Sequence, residues 1–275
     1  MTRKLFCELS PTCYKISVWK EQKKRNVKNY LDKGNLATEK KEEELPNIVK
    51  GHVSIILRKL HNVDMSLQVN KKTNLEIAAK KINGLVIHPG EIFSFWYIVG
   101  ETTLKYGYKE GLVISKTGLK KGIGGGLCQL ANMIHYLVLN SPLEVVELHH
   151  HSDALFPDDR RRVPFGTGTS VFYNYLDYRF KNTTSQDVQL LLWIEDDSLY
   201  GELRSEEEFP YRYKLVEENH HFSKEHGKYY RISQVYRITI DRKTNQELAK
   251  ELILDNHSEV LYDYSLIPRS EIRDD

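Results

Sequence analysis

Gly124-Gly125-Gly126-Leu127-Cys128-Gln129-Leu130-Ala131-Asn132-Met133-Ile134-His135-Tyr136-Leu137-Val138-Leu139 is the stretch on which the reading of this chain turns. Leu127, Leu130, Ala131, Ile134, Leu137 and Val138 recur at helical offsets and make one apolar stripe, which predicts a helix ending before Asn140-Ser141-Pro142. Cys128 falls in its first turn. The three glycines ahead of it allow a tight reversal, with at least one at positive φ, and let a ligand lie close to the backbone. A cysteine at a helix start is favoured as a thiolate, because unpaired N–H groups and the positive end of the dipole stabilise negative charge. The same N–H groups suit the oxyanion of an acyl transfer. A small buried side chain behind a purely structural turn gives the same pattern, and spacing alone does not separate the two.

A nucleophile needs a base and a group to orient it. Downstream, Leu143–His151 reads as a strand that sets Val145, Glu147, His149 and His151 on one face. His149 and His151 are the candidate bases. Asp177, within Tyr173–Phe180, is the candidate orienting carboxylate, with a pair to Arg179 or a turn cap as the alternative. His135 lies two turns from Cys128 and reads as a packing histidine. Two rival chemistries remain. Cys128, His149, His151 and Asp153 are compatible with zinc, although no second spaced ligand pair supports it. A non-catalytic cleft lined by Trp96, Tyr97, Tyr106 and Tyr108 is the other.

Upstream, the pattern predicts helices over 17–31, 38–45, 48–60 and 73–82, the second stopped by Pro46 and the last by Gly84. Leu85–Ile87 reads as a short strand, followed by glycine-punctuated pieces and by strands near 170–180, 188–194, 228–239 and 251–262. The expected fold is α+β: N-terminal helices, a central, mainly antiparallel sheet packed on the Cys128 helix, and a β-rich C-terminal part. The expected divisions are a polar helical segment 1–50, a core 51–200 and a β-rich extension 201–275.

With 40% apolar and 28% charged residues among 275, the chain can build a packed core and is not disordered. A net charge of +2 and the lack of a basic, aromatic-interleaved stripe argue against nucleic acid. The short basic run Lys20–Arg25 reads as a solvated helix face. No run of 18 apolar residues predicts a transmembrane helix, and no signal peptide is visible, so the expected location is cytoplasmic. The odd set Cys7, Cys13 and Cys128 reads as reduced thiols, and no cofactor is expected.

One set of motifs, in order, is specific. Ile87-His88-Pro89-Gly90-Glu91-Ile92-Phe93-Ser94-Phe95, Val99-Gly100, Gly107-Tyr108, Gly124–Gln129, Glu147–Ser152 and Asp177–Asn182 together resemble the VanW family over roughly residues 50–195. That family is named after an accessory protein of B-type vancomycin-resistance clusters. The resemblance implies L,D-transpeptidase-like acyl transfer on peptidoglycan or its precursor peptides, with Cys128 matching the nucleophile and His149 and His151 the histidine pair. Gly124, Gly125, Gly126 and Gln129 match the signature around the substrate. Wall-directed members carry an export signal or anchor, which stands in tension with a cytoplasmic location. Where many members have a longer aromatic-rich segment, this chain has Phe156–Arg162, so Arg160 and Arg161 are candidate contacts for a substrate carboxylate. The alternative is a non-catalytic binding protein for wall precursors, whose glycine turn would hold a terminal carboxylate.

Overall fold

The computed structural model describes residues 5–57, 64–115, 118–150, 153–154, 157 and 163–273. The chain opens with helix α1 (Pro11–Leu31), capped by Ser10, whose hydroxyl accepts from the Cys13 N–H, and with Pro11 in its first turn. Strand β1 (Asn47–Ile55), helix α2 (Met65–Ile82), strands β2 (Leu85–Ile87) and β3 (Ile92–Ser94) and the short helix α3 (Phe95–Val99) follow. Next come the hairpin β4 (Glu110–Ser115) and β5 (Gly118–Ile123), helix α4 (Cys128–Leu139), and strands β6 (Glu144–Glu147), β7 (Asp153–Ala154) and β8 (Arg179–Lys181). The rest is strand: β9 (Val188–Glu195), β10 (Ser198–Ser205), β11 (Tyr211–Glu225), β12 (Lys228–Asp241), β13 (Glu247–Val260) and β14 (Ile272–Arg273).

The architecture is α+β, with sheets that are mainly antiparallel. One sheet runs β1-β10-β9-β2, a smaller one β3-β8-β6, and a third β14-β11-β12-β13-β7. Helix α2 lies on β9, while α4 lies on β10 and β1. The apolar stripe read from the sequence is the buried side of α4: Leu130, Ile134, Leu137 and Val138 have no exposure. They join Leu75, Ile82, Ile87, Phe93, Phe180 and Leu190 in the main core. A smaller apolar cluster, Ala154, Phe165, Phe222, Val260 and Ile267, lies on the β11–β13 sheet.

Several local expectations are corrected. Residues 47–55 are a strand, not part of a helix over 48–60. Ile48, Val49, Val53 and Ile55 are β-branched, and pairing with β10 overrides their helical spacing. Helix α2 starts at Met65 and not at Thr73, because Asp64 caps it by accepting from the Ser66 N–H at 2.8 Å. Residues 38–45 are irregular, with one isolated bridge from Lys40 to Leu85, and not helical. Lys41 donates to the Gly84 carbonyl, and the buried Gln189 amide donates to the carbonyls of Lys41 and Glu43 and accepts from the Leu45 N–H. Between 170 and 180 only the last residues are strand. A turn with Asn174 at positive φ occupies the centre.

Candidate functional site around Cys128

Helix α4 begins where the stripe places it, with Cys128 as its first residue. Gly124 (φ 77°) and Gly126 (φ 95°) are left-handed, as a tight reversal requires. The turn is nevertheless packed against the protein and is not open to a ligand along its whole length. The buried Asn74 amide donates to the Gly125 carbonyl at 2.9 Å, and the Gly124 and Gly125 N–H groups donate to Lys109 and Gly122. A Cβ on Gly125 would stand 2.3 Å from the Gly111 carbonyl carbon. Only the next N–H groups, those of Gly126, Leu127 and Cys128, find no backbone acceptor among the described residues. The oxyanion donors expected from the 124–129 turn therefore reduce to its last part.

Gln129 does not point to a ligand. Its amide donates to the Ser54 hydroxyl and the Ile55 carbonyl, tying α4 to the end of β1. Cys128 is half-buried and packs on the main core, its sulphur 3.9 Å from the Val171 carbonyl. That burial pushes the thiol pKa up, more than contacts with the backbone of Val171 and its own peptide bring it down. Burial thus works against the resting thiolate that the helix start was expected to favour.

The same short segment that touches the sulphur also holds His149. The Ser170 N–H donates to the His149 carbonyl at 2.6 Å, and the Thr169 N–H donates to Asn132, one turn along α4 from Cys128. The His149 ring meets Glu147 at 3.1 Å through Nε2. Burial alone would raise the Glu147 pKa, but hydrogen bonds from His149 and Arg25 and the charges of Arg25 and Arg179 outweigh it and hold it at about 2. Glu147 is therefore the ionised partner of this histidine.

Asp177 is not. Its fully buried carboxylate accepts from the Ser94 hydroxyl (2.6 Å), the Trp96 and Tyr178 N–H groups (3.0 Å each) and Arg179 Nε (2.8 Å). Of the three readings open to it, the pair with Arg179 is formed, beside the backbone bonds from Trp96 and Tyr178. His135 is buried against the Tyr178 hydroxyl at 3.1 Å, and desolvation pushes its pKa down to about 3, so it packs as a neutral ring. Trp96 and Tyr108 are core residues and form no aromatic cleft. His151, Arg160 and Arg161 lie outside the described residues. Among the described residues no cluster of His, Cys, Asp or Glu is placed to hold a metal ion.

What the motif search missed is the support from α1. Arg25 forks onto both oxygens of Glu147, Asn29 accepts from Arg179, and Asn174 donates to Asn26 at 2.6 Å. Such pairings lie more than a hundred residues apart in sequence, so no local pattern announces them. A cleft of about 460 Å³ also opens beside the site, between α4 and β6 on one side and β12 and β13 on the other. His135, Leu148, His150, Arg237 and Leu254 are among its walls, and Cys128 is not.

A family described as "VanW like protein" matches residues 70–204, which include the glycine turn, Cys128, Glu147, His149 and Asp177. Residues 70–204 belong to the VanW family. The chain is 29% identical over 204 residues to the vancomycin B-type resistance protein VanW of Enterococcus faecalis, covering 74% of each chain. It is also 32% identical over 119 residues to the uncharacterized protein YoaR of Bacillus subtilis, a match spanning 43% of this chain and 38% of that one. No solved structure matches. Helix α1 lies ahead of this VanW segment, and β11–β14 lie beyond it. No helix among the described residues is long and apolar enough to cross a membrane.

Proposed function

We propose that this chain is a cysteine-dependent acyltransferase or hydrolase acting on peptidoglycan-type peptides, in the context of glycopeptide resistance that its Enterococcus relative's name indicates. The supporting observation is the convergence at the first turn of α4. There the Cys128 sulphur and the backbone of His149 are both held by residues 169–171, beside the N–H groups of Gly126, Leu127 and Cys128.

In this reading the thiol rests neutral. When a substrate carbonyl seats against the N–H groups, sulphur attacks it, and the thiol proton passes to His149, whose imidazolium is stabilised by ionised Glu147. The C–S bond forms as the C–N bond breaks, and the departing amine takes the proton from His149. Water or an acceptor amine then releases the acyl group from the thioester and regenerates the thiol. His151 remains part of the proposal as the second base, and Arg160 and Arg161 as contacts for a substrate carboxylate.

The raised thiol pKa favours one second reading, a binding protein whose helix start holds the terminal carboxylate of a precursor peptide. Incubation with disaccharide-tetrapeptides, followed by mass analysis of products, separates the two. Turnover by the wild type that is lost in Cys128→Ala supports acyl transfer. No turnover, with equal peptide binding by both proteins, supports the binding reading and defeats the first.

A further inference from the structure

Helix α1 is turned inside out. Its polar residues face the protein: Gln22 donates to the Tyr173 carbonyl, Arg25 pairs with Glu147 and Asn29 accepts from Arg179. Asn29 is the helix residue that is buried. Five of its apolar residues face outward, with Ile16 48%, Trp19 59%, Val27 60%, Tyr30 78% and Leu31 75% exposed, while Val18 is half-buried on the inner side and Tyr14 meets Tyr175. At about 100° per residue, these five lie within an arc of about 120° on the side away from Gln22, Arg25 and Asn29. An apolar stripe of this length on one exposed helix marks an interaction surface and not scattered surface residues.

Its charge identifies the occupant. Lys20 and Lys23 fall inside the same arc, and Lys15 and Lys28 lie about 40° and 60° beyond its ends. The one acidic residue of α1, Glu21, is paired with Lys24 at 2.8 Å. Among the described residues no carboxylate pairs with Lys15, Lys20, Lys23 or Lys28. An apolar stripe interleaved with lysines complements a surface that offers both acyl chains and negative headgroups. A second copy meeting the stripe face to face would instead oppose lysine with lysine. We infer that the outer face of α1 is an interfacial membrane-binding helix that docks the protein on an anionic lipid bilayer. Because Arg25 holds Glu147 from the opposite side of the helix, docking would place the Glu147–His149 side about one helix diameter, roughly 10 Å, from the lipid interface.

The test is co-sedimentation of the full chain with phosphatidylcholine vesicles and with vesicles containing one quarter phosphatidylglycerol. The wild type should bind only the anionic vesicles and be released by high salt. Lys20→Gln with Lys23→Gln should weaken the partition roughly tenfold or more, and Ile16→Ser with Val27→Ser should do likewise, each with unchanged denaturant midpoints because these side chains make no core contact. Absence of binding to anionic vesicles, or equal binding by the variants, would overturn the proposal. So would a lipid-free dimer, seen by sedimentation velocity, that dissociates in Ile16→Ser with Val27→Ser, since that result gives the stripe to a second copy. Cys128 takes no part in these readouts, so failure of the acyl-transfer reading would leave them unchanged.

Discussion

Replacing Glu147 by Gln removes a charge that four groups from three parts of the chain have been arranged to hold. Arg25 comes from α1, Arg179 from β8, His149 from the irregular segment after β6, and the Asp177 N–H also reaches the same carboxylate. The interval from the ordinary 4.5 down to about 2 corresponds, at about 1.4 kcal/mol per pH unit, to roughly 3 kcal/mol of stability. Its side chain keeps 15% of its exposure, so water screens little of that, and about 2–3 kcal/mol is the expected loss in Glu147→Gln at pH 7. Because the folded pKa is depressed, the contribution is complete above 4.5 and disappears as pH falls towards 2. Urea melts of both proteins between pH 7 and pH 2.5 read the difference directly. The gap should shrink to under about 1 kcal/mol at the acid end, since the unfolded carboxyl is then protonated and only the interval from about 2 to 2.5 still contributes. A gap that is constant across this range would refute the claim that ionised Glu147 organises the site.

Gly125→Ala should cost about 3 kcal/mol in a denaturant melt, because its Cβ would collide with the Gly111 backbone, which cannot swing aside. Normal stability would show that the turn is looser than described. Asp177→Asn should lose about 2–3 kcal/mol by removing the nearest of the three carboxylates around buried Arg179, Glu147 and Asp32 remaining. An Asp177→Asn protein with wild-type stability and reduced activity would return this residue to the chemistry. In the free protein, burial should make Cys128 alkylate more slowly at pH 7 than Cys7 or Cys13, as peptide mapping after iodoacetamide would report. Faster labelling at Cys128 would contradict the raised thiol.

The parts of this protein that depend on local repetition were legible in its sequence. The α4 stripe, Cys128 in the first turn, the positive φ in the glycine triplet and the β-rich end all follow from spacing and backbone sterics. The fate of residues 47–55 was not legible, because Val53, Ile56 and Leu57 fit a helix until β10 is available to pair. Helix-start electrostatics at Cys128 are visible in sequence, whereas the burial in the main core that works against them is not. The motifs singled out His149 and Asp177 and left a pair of Asp177 with Arg179 open, but did not show that Glu147 serves His149. That assignment depends on α1, whose Arg25 reaches Glu147 across 122 positions. The amphipathic arc of α1 was present in the sequence, yet the side on which it docks was not, since buried polar pairing reversed the usual preference for apolar contact.

The account rests on a covalent bond at Cys128, and intact-mass spectrometry of the protein quenched in acid during turnover of a peptidoglycan tetrapeptide tests it most directly. The expected result is a mass increase equal to the acyl part of the substrate, mapped by proteolysis to the peptide containing Cys128. It should be absent in Cys128→Ala, and it should form more slowly in His149→Ala and Glu147→Gln while the fold is retained. An unmodified Cys128 under conditions in which product accumulates, or an adduct mapped to another residue, would contradict it.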